Sequence, residues 1–104
     1  MTENSFDYKN YCRAKDLSTI WAALKRTRID GERRENFMED VKVFYDFVHS
    51  KRVFRGAMRE GMNAVCFYKT TPDYGYDFNI FYVAEEFNIS SSTAIKCLRI
   101  FDSM

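Results

Sequence analysis

Apolar residues recur three and four positions apart in five separate stretches of this chain, the spacing of one face of an α-helix. Leu17, Ile20, Trp21 and Leu24 form the first stretch, and Phe37, Val41, Phe44 and Val48 the second. Met58, Met62, Val65 and Cys66 form the third, Ile80, Val83, Ala84 and Phe87 the fourth, and Ala94, Cys97, Leu98 and Phe101 the last. One proline and four glycines in 104 residues leave little room for long flexible linkers. The expected fold is mainly α, a small single domain over residues 1–104 with four or five helices, ending in a helical hairpin.

Punctuation between the stretches sets provisional boundaries. Residues 1–10 read as a polar lead-in, with the first helix opening at Asp16 and capped by Asp16 or Ser18. Asp30-Gly31 is a turn signal. The second helix should run from Glu32 to Ser50, its stripe widened by Met38, Tyr45 and Phe47 so that it meets two neighbours. Glu32 and Glu35 near its start, and Lys51 and Arg52 near its end, suit the helix dipole. Residues 51–56 form a connection, extended at Val53-Phe54. The third stretch reads as a helix, although Gly61 inside it costs ~1 kcal/mol against alanine; a short strand over Ala64–Tyr68 is the alternative. Thr70–Gly75 reads as turn and loop, and Asp77 as a cap for the fourth helix.

Charge and cysteine content remove several function classes. Lys plus Arg total 16 and Asp plus Glu 15, a net charge of +1, which excludes a histone-like basic binder and an acidic mimic of nucleic acid. Cys12, Cys66 and Cys97 are odd in number and widely spaced, unlike a disulfide scaffold or a zinc site. No basic start leads into an apolar run, so no signal peptide is expected, and no stretch approaches the ~20 apolar residues of a membrane span. The expected setting is the reduced cytoplasm, away from membranes. His49 has no Cys or Asp at metal spacing. There is no glycine-rich phosphate loop, and Glu39, Asp40 and Asp46 read as a solvated helix face. Neither an enzyme nor a metal or cofactor is expected.

The tail carries the one specific motif. Asn88 tolerates the left-handed backbone that a sharp helix end needs. Ile89 follows as a plug between two helices, and Ser90 is an N-cap candidate. This layout resembles the helix-turn-helix of bacterial transcription regulators. Ala84 takes the position of the small residue in the first helix, and Asn88 the turn position usually held by glycine. Ser90, Ser92 and Thr93 match a Ser-x-Ser-Thr opening found in related members. The resemblance covers residues 80–101. It implies that Ser90, Ser91, Ser92, Ile95, Lys96 and Arg99 face a DNA major groove, where Arg99 could read guanine through its paired donors. With Met104 as the last residue, no C-terminal wing is expected.

Charge in the tail is thin: Lys96, Arg99 and Asp102, with Glu85 and Glu86 nearby. Lys51, Arg52, Arg55 and Arg59 would supply phosphate contacts if they lay beside the hairpin. Lys25, Arg26, Arg28, Arg33 and Arg34 are interleaved with acids and read as a solvated face.

The leading expectation is a small regulator of double-stranded DNA, acting as a homodimer, because two half-sites a helical turn apart double what one sparsely charged helix can read. The alternative is a protein-interaction module, an inhibitor or adaptor of the kind a phage could encode. It would grip a protein partner through the hairpin or through Phe67, Tyr68, Tyr74, Tyr76, Phe78, Phe81 and Tyr82, since aromatic residues are enriched at interfaces.

Overall fold

A computed structural model describes residues 7–104. Five α-helices follow one another: α1 (Tyr8–Arg26), α2 (Arg34–Lys51), α3 (Gly56–Thr70), α4 (Ile80–Glu86) and α5 (Ser91–Asp102). One 3-10 turn, Gly31–Arg33, leads into α2, and another, Thr71–Tyr74, follows α3. No strand occurs among the described residues. The mainly α architecture expected from the apolar spacing is what the chain adopts.

α3 is the central helix and packs against each of the other four. Every residue from Gly61 to Phe67 is buried, including the polar Asn63. A helix enclosed on all sides loses its one-sided pattern. This is why Ala64–Tyr68 could be read as a strand, and why that alternative fails. Around α3 sit Ile20 and Leu24 of α1, Phe37, Val41 and Val48 of α2, and Val83 of α4, all fully buried. The Phe37 ring meets Phe67 at 5.4 Å, and Phe87 meets the same ring at 5.5 Å. Ile29 and Phe54, in the two connections, are buried as deeply, so these links are part of the core.

Two caps differ from the expectation. α1 opens at Tyr8, with the Asp7 carboxylate accepting from the Asn10 amide at 3.3 Å. Asp16 therefore lies in mid-helix and Ser18 beyond it, and neither is a cap. The first two turns of α1 are polar and largely exposed, so no apolar stripe marks them. Residues 1–6 of the expected lead-in lie outside the described residues. At α4 the cap is Asn79, accepting from the Phe81 amide at 2.7 Å, rather than Asp77. The ring of Phe78 is stacked on Phe67 at 6.3 Å, which holds the chain extended up to residue 79.

Asp16 instead anchors a polar knot. It is 8% exposed and receives the Tyr45 hydroxyl at 2.5 Å, the Arg59 Nε at 2.8 Å and the Asn63 amide at 2.9 Å. One carboxylate thus ties α1 to α2 and α3, with the hydrogen bonds a buried charge requires. Burial, then the bond to Asp16, raises the Tyr45 phenol above its ordinary range.

Candidate nucleic-acid interface

The α4–α5 hairpin is built by local hydrogen bonds that the sequence encodes. Asn88 has φ +55°, the left-handed region. Its amide donates to the Glu85 carbonyl at 3.0 Å, and the Ile89 amide reaches back to Ala84 at 3.0 Å. This pair of bonds is the Schellman ending, which satisfies carbonyls that a helix end leaves unpaired. Ile89 is half-buried, as a plug should be. The Ser90 hydroxyl accepts from the Thr93 amide at 3.1 Å and caps α5.

The inner face of α5 is set by one close approach. Ala94 and Cys97 are buried, and Cys97 packs against α3, where residue 61 is glycine. A Cβ there would lie 2.5 Å from the Cys97 sulfur and 3.1 Å from Thr93 Cγ2. The Cys97 thiol donates to the Met58 carbonyl at 3.5 Å. Toward the other ends of both helices, Lys69 pairs with Asp102 at 2.7 Å, so α3 and α5 run in the same sense. Gly61, Thr93 and Met58 set how α5 sits, and none was among the expected site residues. A glycine inside an apolar helical run is the one signal that could have pointed to the crossing.

With that face buried, Ser91, Ser92, Lys96 and Arg99 are exposed together on the opposite side, and Ile95 is half-buried between them. Ser90 belongs to the cap rather than to this surface: its hydroxyl also donates to Thr93 Oγ1 at 2.9 Å. Neither Lys96 nor Arg99 has an ion-pair partner among the described residues. Two of the nearby acids are engaged. Glu86 pairs with Arg26 at 3.2 Å, and Asp102 with Lys69. Glu85 remains exposed.

The second basic cluster divides. Lys51, Arg52 and Arg55 are exposed, with Lys51 over the Phe47 ring at 5.2 Å and Arg52 over Phe54 at 4.8 Å. Burial raises the Cys97 thiol above its usual range, while Lys96 and Arg52 both oppose that shift. The 52–55 loop leads into α3 just before Met58, whose carbonyl receives the Cys97 thiol, so it neighbours α5. Arg59 does not join it. Its guanidinium turns inward to Asp16, to Tyr45 Oη at 3.1 Å and to the Phe54 carbonyl at 3.3 Å, and it is not placed as a phosphate contact.

The first cluster is more than a solvated face. Arg26 donates to the Glu86 carbonyl at 2.6 Å, Arg33 to that of Tyr74 at 3.0 Å, and Arg34 to that of Ile29 at 3.0 Å. These three cations hold connections in place, while Lys25 and Arg28 face solvent.

Of the aromatic run, Phe78 and Tyr74 are partly buried against the core, whereas Phe81 is 50% and Tyr82 38% exposed. The cysteines are free thiols, and burial pushes that of Cys66 up to about 12. His49 is half-buried, its ring tilted against that of Tyr45 with centroids 4.1 Å apart. Among the described residues no group of three or more His, Cys, Asp or Glu could hold a metal ion, and no helix is long and apolar enough to cross a membrane. Comparison with protein-family models, curated proteins and solved structures finds no match to this chain.

Proposed function

We propose that the chain is a small regulator that binds double-stranded DNA, using α4 and α5 as a helix-turn-helix. The observation that carries this reading is the division of α5. Thr93 and Cys97 fix its inner face to α3, leaving Ser91, Ser92, Lys96 and Arg99 on an open outer face. A recognition helix needs that division, because base contacts are made by side chains exposed on its outer face; the Ser92 hydroxyl there is shared with that of Ser90 at 3.2 Å. The first-turn amides of α5 favour a phosphate. Arg52 and Arg55 lie on the neighbouring loop, and Lys51 at the end of α2, where they add charge for the backbone. Engagement of Glu86 by Arg26, and of Asp102 by Lys69, reduces the repulsion these acids would offer to phosphates.

The test is a gel-shift of the full chain against random duplex at low and moderate salt. Binding should weaken as salt rises, since counterion release supplies most non-specific affinity. It should be lost in a Lys96→Ala/Arg99→Ala double variant. No duplex affinity at low salt would reject the reading.

A second reading, a module that grips a protein, is favoured by the exposed Phe81 and Tyr82 rings on α4. Capture of one protein partner that Phe81→Ser abolishes, with no duplex binding, would select it.

A further inference from the structure

We propose that the outer ridge of α2 pairs with the same ridge of a second copy of this chain, antiparallel and about a two-fold axis. Glu39, Val43, Phe47 and Lys51 are spaced four apart on α2 and all four are exposed, Val43 by 68% and Phe47 by 38%. Residues at that spacing form one ridge, and the commonest packing of two helices sets such ridges side by side. In a two-fold contact, residue i meets residue j and j meets i.

This ridge is complementary to its own reversal. Read backwards, Lys51 stands opposite Glu39 and Phe47 opposite Val43. The Glu39–Lys51 pair forms twice, once at each end, and the apolar side chains cover one another at the centre. A ridge with one sign at both ends, or with its apolar residues off centre, would not match a second copy of itself. Asp40 reinforces the acidic end, where its carboxylate receives the Tyr74 hydroxyl at 2.6 Å, and Arg52 reinforces the basic end.

The present engagements of these groups are easily exchanged. Glu39 pairs with Lys42 one turn along at 2.7 Å, a surface contact of the kind that contributes little. The Phe47 ring leans on Phe101 at 6.2 Å, and Phe101 on Phe44 at 5.6 Å, so the apolar strip continues onto the end of α5. A two-fold contact on α2 therefore reaches the helix assigned to DNA, although the pairing itself does not depend on that assignment. One ridge is smaller than the ~800 Å² per partner of a standard interface, so the association is weak.

Sedimentation of the full chain without DNA, from about 1 μM to about 1 mM, tests the pairing over the range where weak contacts are read. The wild type should pass from monomer to dimer. Glu39→Lys and Lys51→Glu should each weaken the dimer about tenfold, because each places like charges opposite one another twice. Mixing these two variants should restore association as a heterodimer, and the double variant should pair with itself like the wild type. Circular dichroism should show unchanged helicity throughout. A chain that stays monomeric over the whole range overturns the proposal. So does a dimer indifferent to both reversals and to Val43→Glu, or one that mixing fails to restore. Since no DNA is present, failure here leaves the duplex gel-shift standing, and failure of that gel-shift leaves this pairing standing.

Discussion

Gly61 on α3 and Cys97 on α5 touch so closely that position 61 has no room for a side chain: an added Cβ would sit 2.5 Å from the thiol sulfur. Gly61→Ala should therefore destabilise the fold by about 1–3 kcal/mol through overpacking, although alanine is ~1 kcal/mol the better helix former. Urea unfolding measures the difference. Repeating the substitution on a Cys97→Ala background should shrink the loss, because the colliding sulfur is gone. An increase in stability on the wild-type background would show that the helices are not so close.

Asn88 makes the turn of the hairpin with φ +55° and an exposed side chain, so its contribution is conformational. Asn88→Gly should leave stability unchanged or raise it. Asn88→Val should lower it by about 1–2 kcal/mol, the steric penalty of the left-handed region for a residue with a branched Cβ. The two thermal unfolding curves should separate in that order.

The Asp16 carboxylate holds Tyr45, Arg59 and Asn63 at once. Asp16→Ala leaves a largely buried guanidinium and two further donors without their acceptor. The loss should be about 3 kcal/mol or more, in the range for breaking a buried pair from one side. Denaturant unfolding checks it, with the exposed Asp46 as control. Its bond to Arg13 is a surface contact, and Asp46→Ala should cost under about 1 kcal/mol.

Burial, then the nearby Arg59, lowers the His49 pKa from its ordinary value of 6.5, while Asp16 and Asp46 oppose the shift. A histidine whose folded pKa lies below the unfolded one takes up its proton more readily when unfolded. Stability from neutral His49 is thus complete above 6.5 and is lost as pH falls from there through the folded value. Melting temperature should drop on acidification across that window, and His49→Gln should flatten the drop.

Salt dependence should separate the basic residues of the proposed interface from those engaged within the fold. Arg52→Ala and Arg55→Ala should each lower the slope of log affinity against log salt by close to one unit. Arg26→Ala should leave that slope unchanged while lowering stability, since its guanidinium is held by Glu86.

Local chemistry carried much of this protein's form. Five apolar stretches at three-four spacing imply four or five helices, and five form. Asn88, Ile89 and Ser90 announced the hairpin, whose Schellman bonds and cap involve residues at most five apart in the chain. Such bonds depend on neighbours along the backbone, so their residues can be recognised before any packing is known. The start of α1 escaped notice for the complementary reason: Tyr8 to Lys15 are held in a helix without an apolar face to betray it.

What tertiary structure alone decided concerns partners distant in sequence. Asp16 reads as a cap until Tyr45, Arg59 and Asn63 converge on it from 29 to 47 residues away. Arg59 reads as a phosphate contact until the same carboxylate claims it, and Gly61 reads as a defect until Cys97 occupies the missing Cβ. The sequence by itself determined the helices and the turn, because their hydrogen bonds are local. Which charges stay free to meet another molecule was decided only when α3 was enclosed, because a cation's availability depends on which distant carboxylate or carbonyl the fold brings within reach.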